Sequence, residues 1–475
     1  MLTRLKVKGF KSLEDVDVLF GPLTCIAGTN GVGKSNLFDA ILFLKDLADI
    51  PIIDAATRVR NREERANHPS PQRPNISSLF TKTVSSQASQ MEFEAEFLVG
   101  KKVVDDFARE AIPKVTYLKY KLILKYIPAG PSTPEGIELV EESLTHIQKG
   151  EAKNRLGFPM TREFFDSVYH GVSRIDFIYT ETENGHPVVK IRQDQTSGQP
   201  ITILISKTGR TALSSINTIE RPTVLAARRE MQSWTLLQLE SSSLRQPDNF
   251  ISASTVSDTG KHLPATLARL GKNADIANEL AKLLPEVKNI YVDIDDKRQL
   301  KTLYLETTSG IKHEARFLSD GTLRFLALSI IRADTESAGV ICLEEPENGI
   351  HPGRIPVMID LLYRMAVDTD FPVDAGESDN PLRQVIINTH SPLVIQNIKT
   401  ADLVVAQVYQ RDGTSLSKFA SIENTWRDSI SHDSPVGFGM LLDYLVADTH
   451  SKDSEDDSVR RYLEHQLSLA EEQSK

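Results

Sequence analysis

The sequence predicts an α/β fold with an antiparallel β layer and a helical insertion lobe. Three observations carry this expectation. An apolar strand at Leu23 to Ala27 runs through a glycine-rich loop into an amphipathic helix at Asn36 to Leu47. Two more apolar strands, around 339–344 and 384–388, each end in a polar tip. Between these outer parts, segments from 91 to 192 alternate apolar and polar residues as half-buried strands do.

The glycine-rich loop reads Gly28-Thr29-Asn30-Gly31-Val32-Gly33-Lys34-Ser35, a complete Walker A phosphate loop on its required strand-loop-helix frame. Successive backbone N–H groups of such a loop face inward and cradle phosphate oxygens, and the helix start adds partial positive charge. Gly28, Gly31 and Gly33 permit dihedrals and close approach that a Cβ would block. Lys34 is expected to reach the β- and γ-phosphates of ATP, and Ser35 to place its hydroxyl on Mg²⁺. With Asn36 opening the helix, residues 28–36 form the expected nucleotide cradle. A chance glycine turn is the plain alternative.

Residues 339–346 read Gly-Val-Ile-Cys-Leu-Glu-Glu-Pro, a buried strand ending in two acids, as in Walker B. Glu344 is expected to hold Mg²⁺ through water, and Glu345 to orient and deprotonate the attacking water as general base. The alternative is an ordinary strand with a solvated acidic end. Just upstream, Ser319-Asp320-Gly321-Thr322 precedes a helical pattern at Leu323, Leu326, Ala327, Ile330 and Ile331. Ser319 is an N-cap candidate, and a capped helix start is also a phosphate site. Taken alone, a plain cap is the favoured reading. Downstream, Gln-Val-Ile-Ile-Asn-Thr-His-Ser-Pro puts His390 at a strand tip, as a turn residue or as a contact to the γ-phosphate or water.

This order of motifs resembles the ATP-binding-cassette (ABC) ATPases of the RecF, SMC and OLD type, over roughly residues 1–50 and 286–400. The opening Leu-Thr-Arg-Leu-Lys-Val-Lys-Gly-Phe-Lys-Ser-Leu looks like that family's first strand and turn. Leu318 to Thr322 resembles its signature motif, Glu347-Asn348-Gly349-Ile350-His351-Pro352 its D-loop, and His390 its switch histidine. Asp320 and Thr322 stand where transporter cassettes have Gly and Gln, and Glu344 replaces Asp. The departures look like RecF- and OLD-type variants and leave the hydrolysis rate open. Gln87 and Gln90 are the candidates for the Q-loop glutamine.

The resemblance implies an ABC-type P-loop ATPase head. It implies a head-to-tail dimer in which ATP lies between the Walker motifs of one chain and Ser319 and Gly321 of the other. Lys34, Ser35, Glu344, Glu345 and His390 would act in cis and Ser319 in trans, with Asn348 and His351 along the seam. The expected layout is an ATPase lobe with the β-rich insertion (1–224), a helical insertion lobe (225–288), a second ATPase lobe (289–447) and an acidic polar tail (448–475). Similar free-standing ATPases often control a separate nuclease or toxin in bacterial anti-phage systems, so a distinct effector partner is expected.

Composition bounds the alternatives. The 475 residues carry net charge −10 and a pI of about 5.7, which lowers the prior for a DNA-coating protein. Direct DNA binding stays open through two basic groups: Arg58, Arg60, Arg62 and Arg65, and Lys114, Lys119, Lys121 and Lys125. Glu63 and Glu64 interrupt the first group, so a solvated loop is the favoured reading there, and the second can equally be the solvent face of a strand. No apolar run approaches the ~20 residues of a membrane span, and Leu2 already enters a strand pattern, so no signal peptide is expected. Cys25 and Cys342 lie in apolar strands and read as reduced, buried thiols of a cytoplasmic protein. Residues 51–83 read as a mobile loop, and Ser458 to Glu472 as an exposed helix or docking segment.

Three rival readings are kept. A RecF-like repair ATPase would bind DNA directly, with a steep salt dependence. An intrinsic metal-dependent nuclease would use Asp293 and Asp295, but a turn between strands is the favoured reading of these two, and the stretch after His390 is short for the Toprim domain of OLD nucleases. A transporter cassette is disfavoured by the altered signature and the large β insertion.

Overall fold

The computed structural model describes residues 1–65, 76–131, 133–195, 198–373, 380–431, 434–437 and 439. Its centre is a six-stranded sheet in the order Thr235–Leu237, Gly339–Glu344, Arg383–Thr389, Leu23–Ala27, Leu403–Arg411 and Thr414–Ser421. The first five are parallel and the last pairs antiparallel at the edge. A parallel sheet covered on both faces needs apolar residues at both parities. Ile26, Val340, Cys342 and Ile386 face one core, whereas Cys25, Ile341, Leu343, Val385 and Ile387 face the other. That is why these strands read as unbroken apolar runs.

The first core lies under an eight-stranded antiparallel layer, ordered Ile201–Leu204, His186–Ile191, Ile178–Glu183, Gly136–His146, Tyr117–Ile127, Gln90–Leu98, Leu2–Phe10 and Leu13–Leu19. The phosphate-loop helix Lys34–Leu47 is clamped here, with Phe43 packed on Phe10 and Phe93. The second core holds helices Leu263–Leu270, Asn273–Leu283, Asp320–Ala333 and Ile355–Met365. The stretch 225–288 is thus helical in large part, but it also supplies the strand Thr235–Leu237 to the central sheet.

The expected loop at 51–83 is corrected over its first part. Ile52–Arg65 is a helix, because Ile52, Ala55, Ala56 and Val59 repeat at three- and four-residue spacing and are buried. Arg-rich composition masked that stripe. Residues 66–75 and the acidic tail, including 458–472, lie outside the described residues.

Two of the second basic group, Lys119 and Lys121, are ion-paired on the solvent face of the β layer. Across Leu13–Leu19, Leu2–Phe10, Gln90–Leu98, Tyr117–Ile127 and Gly136–His146 the charges run in columns of alternating sign, acidic, basic, acidic, basic, acidic. Arg4 pairs with Asp17 at 2.5 Å, Lys119 with Glu94 at 3.5 Å, and Lys121 with Glu141 at 3.0 Å. Farther along, Lys190 meets Glu181 at 2.6 Å.

Inside that layer Glu142 is fully buried. It accepts backbone N–H bonds from Ala212 (2.6 Å) and Leu213 (2.8 Å) and a bond from the Tyr120 hydroxyl (3.1 Å). Burial nevertheless pushes its carboxyl up to about 7. The folded state therefore holds a proton that the unfolded chain releases near the ordinary carboxyl value. The associated stability is complete below that value and is lost as pH rises through about 7, for a total of about 3 kcal/mol. Unfolding temperatures measured from pH 4.5 to 8 should fall less steeply for Glu142→Gln than for the native chain; parallel curves would contradict the assignment.

Burial also drives both thiols well above their ordinary range. Cys25 and Cys342 should resist maleimide in the native state and react only on unfolding. Labelling of the folded chain within minutes would refute their placement.

Candidate functional site

The strand Leu23–Ala27 delivers the loop 28–33 to the top of the central sheet. No side chain caps the helix that follows, and its positive end, where the Asn36 N–H turns back to the Gly33 carbonyl at 3.1 Å, faces the loop, as an anion site requires. Gly33 at the helix start has φ +91°, and a Cβ there would lie 1.9 Å from the Ser417 hydroxyl. Ser12 completes this floor: its hydroxyl meets that of Ser417 at 2.6 Å and accepts from the Asn36 amide at 2.7 Å. Lys34 folds back over the loop and donates to the Gly28 and Thr29 carbonyls, at 2.7 Å each.

The Walker B candidates come to the same place. Ser35 donates to Glu344 at 2.7 Å, and the Asn388 amide donates to the same carboxylate oxygen at 3.3 Å. A hydroxyl and a carboxylate side by side are hard oxygen donors, a set that suits Mg²⁺. Asn30, Gly31, Gly33, Lys34, Ser35, Asn36, Glu344, Glu345, Asn348 and Asn388 line one cleft of about 470 Å³. A larger groove, lined by Glu279, Arg364 and Trp426 among others, contains none of them.

Glu345 is held from three sides. Its carboxylate meets His390 Nδ1 at 2.6 Å and accepts from the Asn348 amide at 2.9 Å. Its backbone N–H donates to the Asn388 carbonyl at 3.0 Å and to the side-chain oxygen at 3.2 Å. Its φ is +44°, a left-handed conformation that a non-glycine residue adopts at a cost of ~1–3 kcal/mol. Asn388 thus fixes the strained turn that aims Glu345 into the cleft. Next to it, Glu347 accepts from Thr389 at 2.5 Å, and its second oxygen is buried without a protein partner. Burial raises the Glu347 carboxyl above its ordinary range.

Ser319 and Gly321 do not line this cleft. Ser319 caps the helix Asp320–Ala333, its oxygen accepting from the Thr322 N–H at 3.3 Å. Gly321 presses on the turn at 347–350, where a Cβ would lie 2.3 Å from the Gly349 carbonyl. Gln87 and Gln90 also lie away from the cleft. Asp293 and Asp295 stand at the end of a hairpin, and Asp295 caps the turn through the N–H groups of Lys297 and Arg298. Among the described residues no cluster of three metal-ligating side chains occurs.

Sequence reasoning missed Asn388, Ser12 and Ser417. Asn388 had a signal, a polar residue inside an apolar strand two positions before His390. Ser12 and Ser417 had none, because their sequence separation hides their contact.

A family model described as "AAA domain, putative AbiEii toxin, Type IV TA system" matches residues 70–396. The chain belongs to this AAA family. It is an ATPase, and a second model described as "AAA ATPase domain" matches residues 1–127 of it. An OLD nuclease of Thermus scotoductus is 56% identical over 41 residues, a stretch covering 9% of this chain and 8% of that protein. The match therefore spans only a small part of that relative's length. Among solved structures, an SMC head bound to the C-winged helix domain of ScpA shares 15% identity over 89% of this chain and 98% of that one, with a TM-score of 0.45. The SMC head domain from Thermotoga maritima gives 13%, 89%, 99% and 0.39 by the same measures. Among the described residues of this AAA-family ATPase, no helix is long and apolar enough to cross a membrane.

Proposed function

We propose that this ATPase is a nucleotide-gated switch of the RecF/OLD type, in which two copies close head to tail around ATP. The observation that carries the reading is the division of groups. Ser35, Glu344, Glu345 and His390 meet around one cleft, whereas the signature serine caps a helix outside it. Such a half-built site surrounds a triphosphate only when a second copy supplies the serine. ATP then favours the closed pair by its differential affinity for that state.

Within the cleft each residue has a task. Residues 28–36 cradle the phosphates through backbone N–H groups. Lys34 leaves the loop carbonyls for the β- and γ-phosphates. Ser35 and Glu344 would hold Mg²⁺, which neutralises charge on the phosphates. Glu345 takes the proton of the attacking water, and His390, bonded to its carboxylate, keeps that base oriented.

The biological reading is a cytoplasmic ATPase subunit of a bacterial anti-phage system that governs a separate effector. The family description names a toxin of a toxin–antitoxin system, and the local relative is a nuclease, which supports a place in defence. Direct DNA binding is less favoured, because acidic neighbours already engage Lys119 and Lys121. The test is the native mass of the Glu345→Gln variant with and without ATP and Mg²⁺. Doubling only with ATP supports the switch; a mass indifferent to nucleotide rejects it.

A further inference from the structure

Arg245 ends the short helix Ser241–Leu244, far from the Walker motifs in sequence, and reaches the signature motif. Its Nη2 donates to Asp320 Oδ1 at 2.6 Å and to the Leu318 carbonyl at 2.9 Å. Its Nε donates to the Arg316 carbonyl at 3.3 Å, and Nη1 is tied back to the Ser241 carbonyl at 3.0 Å. One guanidinium therefore grips the residues on both sides of Ser319.

Asp320 makes this grip informative. A carboxylate in the first turn suits the helix itself. It is the wrong sign for a helix start that is to receive a phosphate. The Asp320 side chain is half exposed and is the residue next to Ser319, so its charge lies close to whatever approaches that serine. The bond from Arg245 holds its carboxyl below the usual range, so it stays charged. An ion pair this exposed contributes little to folding, which leaves its electrostatic effect on the approaching ligand as the consequence of interest. Arg324, on the same helix, adds positive charge nearby.

We propose that Arg245 is a positioning residue of the trans half-site. It cancels the charge of Asp320 and fixes the backbone around Ser319, so that this helix start accepts the triphosphate bound to a second copy of the chain. The inference rests on the head-to-tail reading. Without Arg245, Asp320 loses its hydrogen-bonded cationic partner and presents more negative charge to the partner's nucleotide. Removing both charges restores neutrality, so the two substitutions must be non-additive.

The experiment is a titration of dimer against ATP, at fixed Mg²⁺, by native mass in the Glu345→Gln background. Each variant is first checked for a cooperative thermal transition. Arg245→Ala should raise the ATP concentration for half-dimerisation by about tenfold or more. Adding Asp320→Asn should recover most of that loss. Arg245→Lys should recover part of it, since an ammonium can meet Asp320 but cannot fork to the carbonyls of Leu318 and Arg316. A double variant as defective as Arg245→Ala overturns the charge-cancelling role, as does an Arg245→Ala titration equal to that of its parent. A parent that never dimerises with ATP overturns the head-to-tail reading and this inference with it, an outcome distinct from the other two.

Discussion

Glu345→Gln should lower ATP turnover by about 10²–10⁴-fold while leaving ATP binding intact. The amide keeps the length and polarity of the carboxylate and can still engage Asn348 and His390, which lie 2.9 and 2.6 Å from it. What it cannot do is accept the proton of water. Glutamine tolerates φ +44° no better than glutamate does, so folding should change little. Glu345→Gly gives the complementary result. It relieves the left-handed backbone and should raise stability by about 1 kcal/mol, while turnover falls as far or farther. A glycine variant that is both inactive and harder to unfold would show that the turn stores strain for the position of the base. Single-turnover hydrolysis and thermal unfolding decide it; a Gln variant within threefold of native turnover removes Glu345 from the role.

Gly33→Ala should weaken nucleotide affinity by about 100-fold or more and lower the unfolding temperature. Two penalties fall on one methyl group. The backbone sits at φ +91°, and the new carbon would lie 1.9 Å from the Ser417 hydroxyl and 2.7 Å from that of Ser12. Either the loop opens or the strand Thr414–Ser421 shifts, and both move Lys34 and Ser35. Gly31→Ala is the control. Its φ is +80°, but a Cβ there meets nothing within 4 Å, so it carries only the dihedral cost. Binding of a fluorescent ATP analogue should therefore fall much further at position 33 than at 31. Equal losses would mean that the Ser12–Ser417 floor plays no part in shaping the loop.

Much of this site was legible because its chemistry is local. The phosphate loop, the acid pair after an apolar strand, the capping serine and the strand-tip histidine each lie within a few residues of the element that presents them. The cap at Ser319 was readable from a serine before a helical apolar stripe, and the structure has that cap. What stayed hidden depends on long-range placement or on backbone state. Asp320 looked like a departure in the signature until Arg245, 75 positions away, lay against it. The left-handed turn at Glu345 has no local mark, since the usual sign is a glycine. Lys119, Lys121 and Lys125 showed their common face, but their acidic neighbours emerged only from strand order and register. The helix at Ile52–Arg65 was missed for a different reason: its buried apolar positions Ile52, Ala55, Ala56 and Val59 were outvoted by the arginine and glutamate that follow.

The contact between Gly321 and the Gly349 carbonyl leaves no room for a methyl group. The start of the helix Asp320–Ala333 and the turn at 347–350 are thus packed backbone to backbone. In a closed pair each copy would lend that helix to one ATP and carry the D-loop past the other. Release of phosphate on one side would then be felt at the opposite site through a joint with no slack. If the proposed pair forms, its ATP hydrolysis should show a Hill coefficient above one, and a coefficient of one would contradict this coupling.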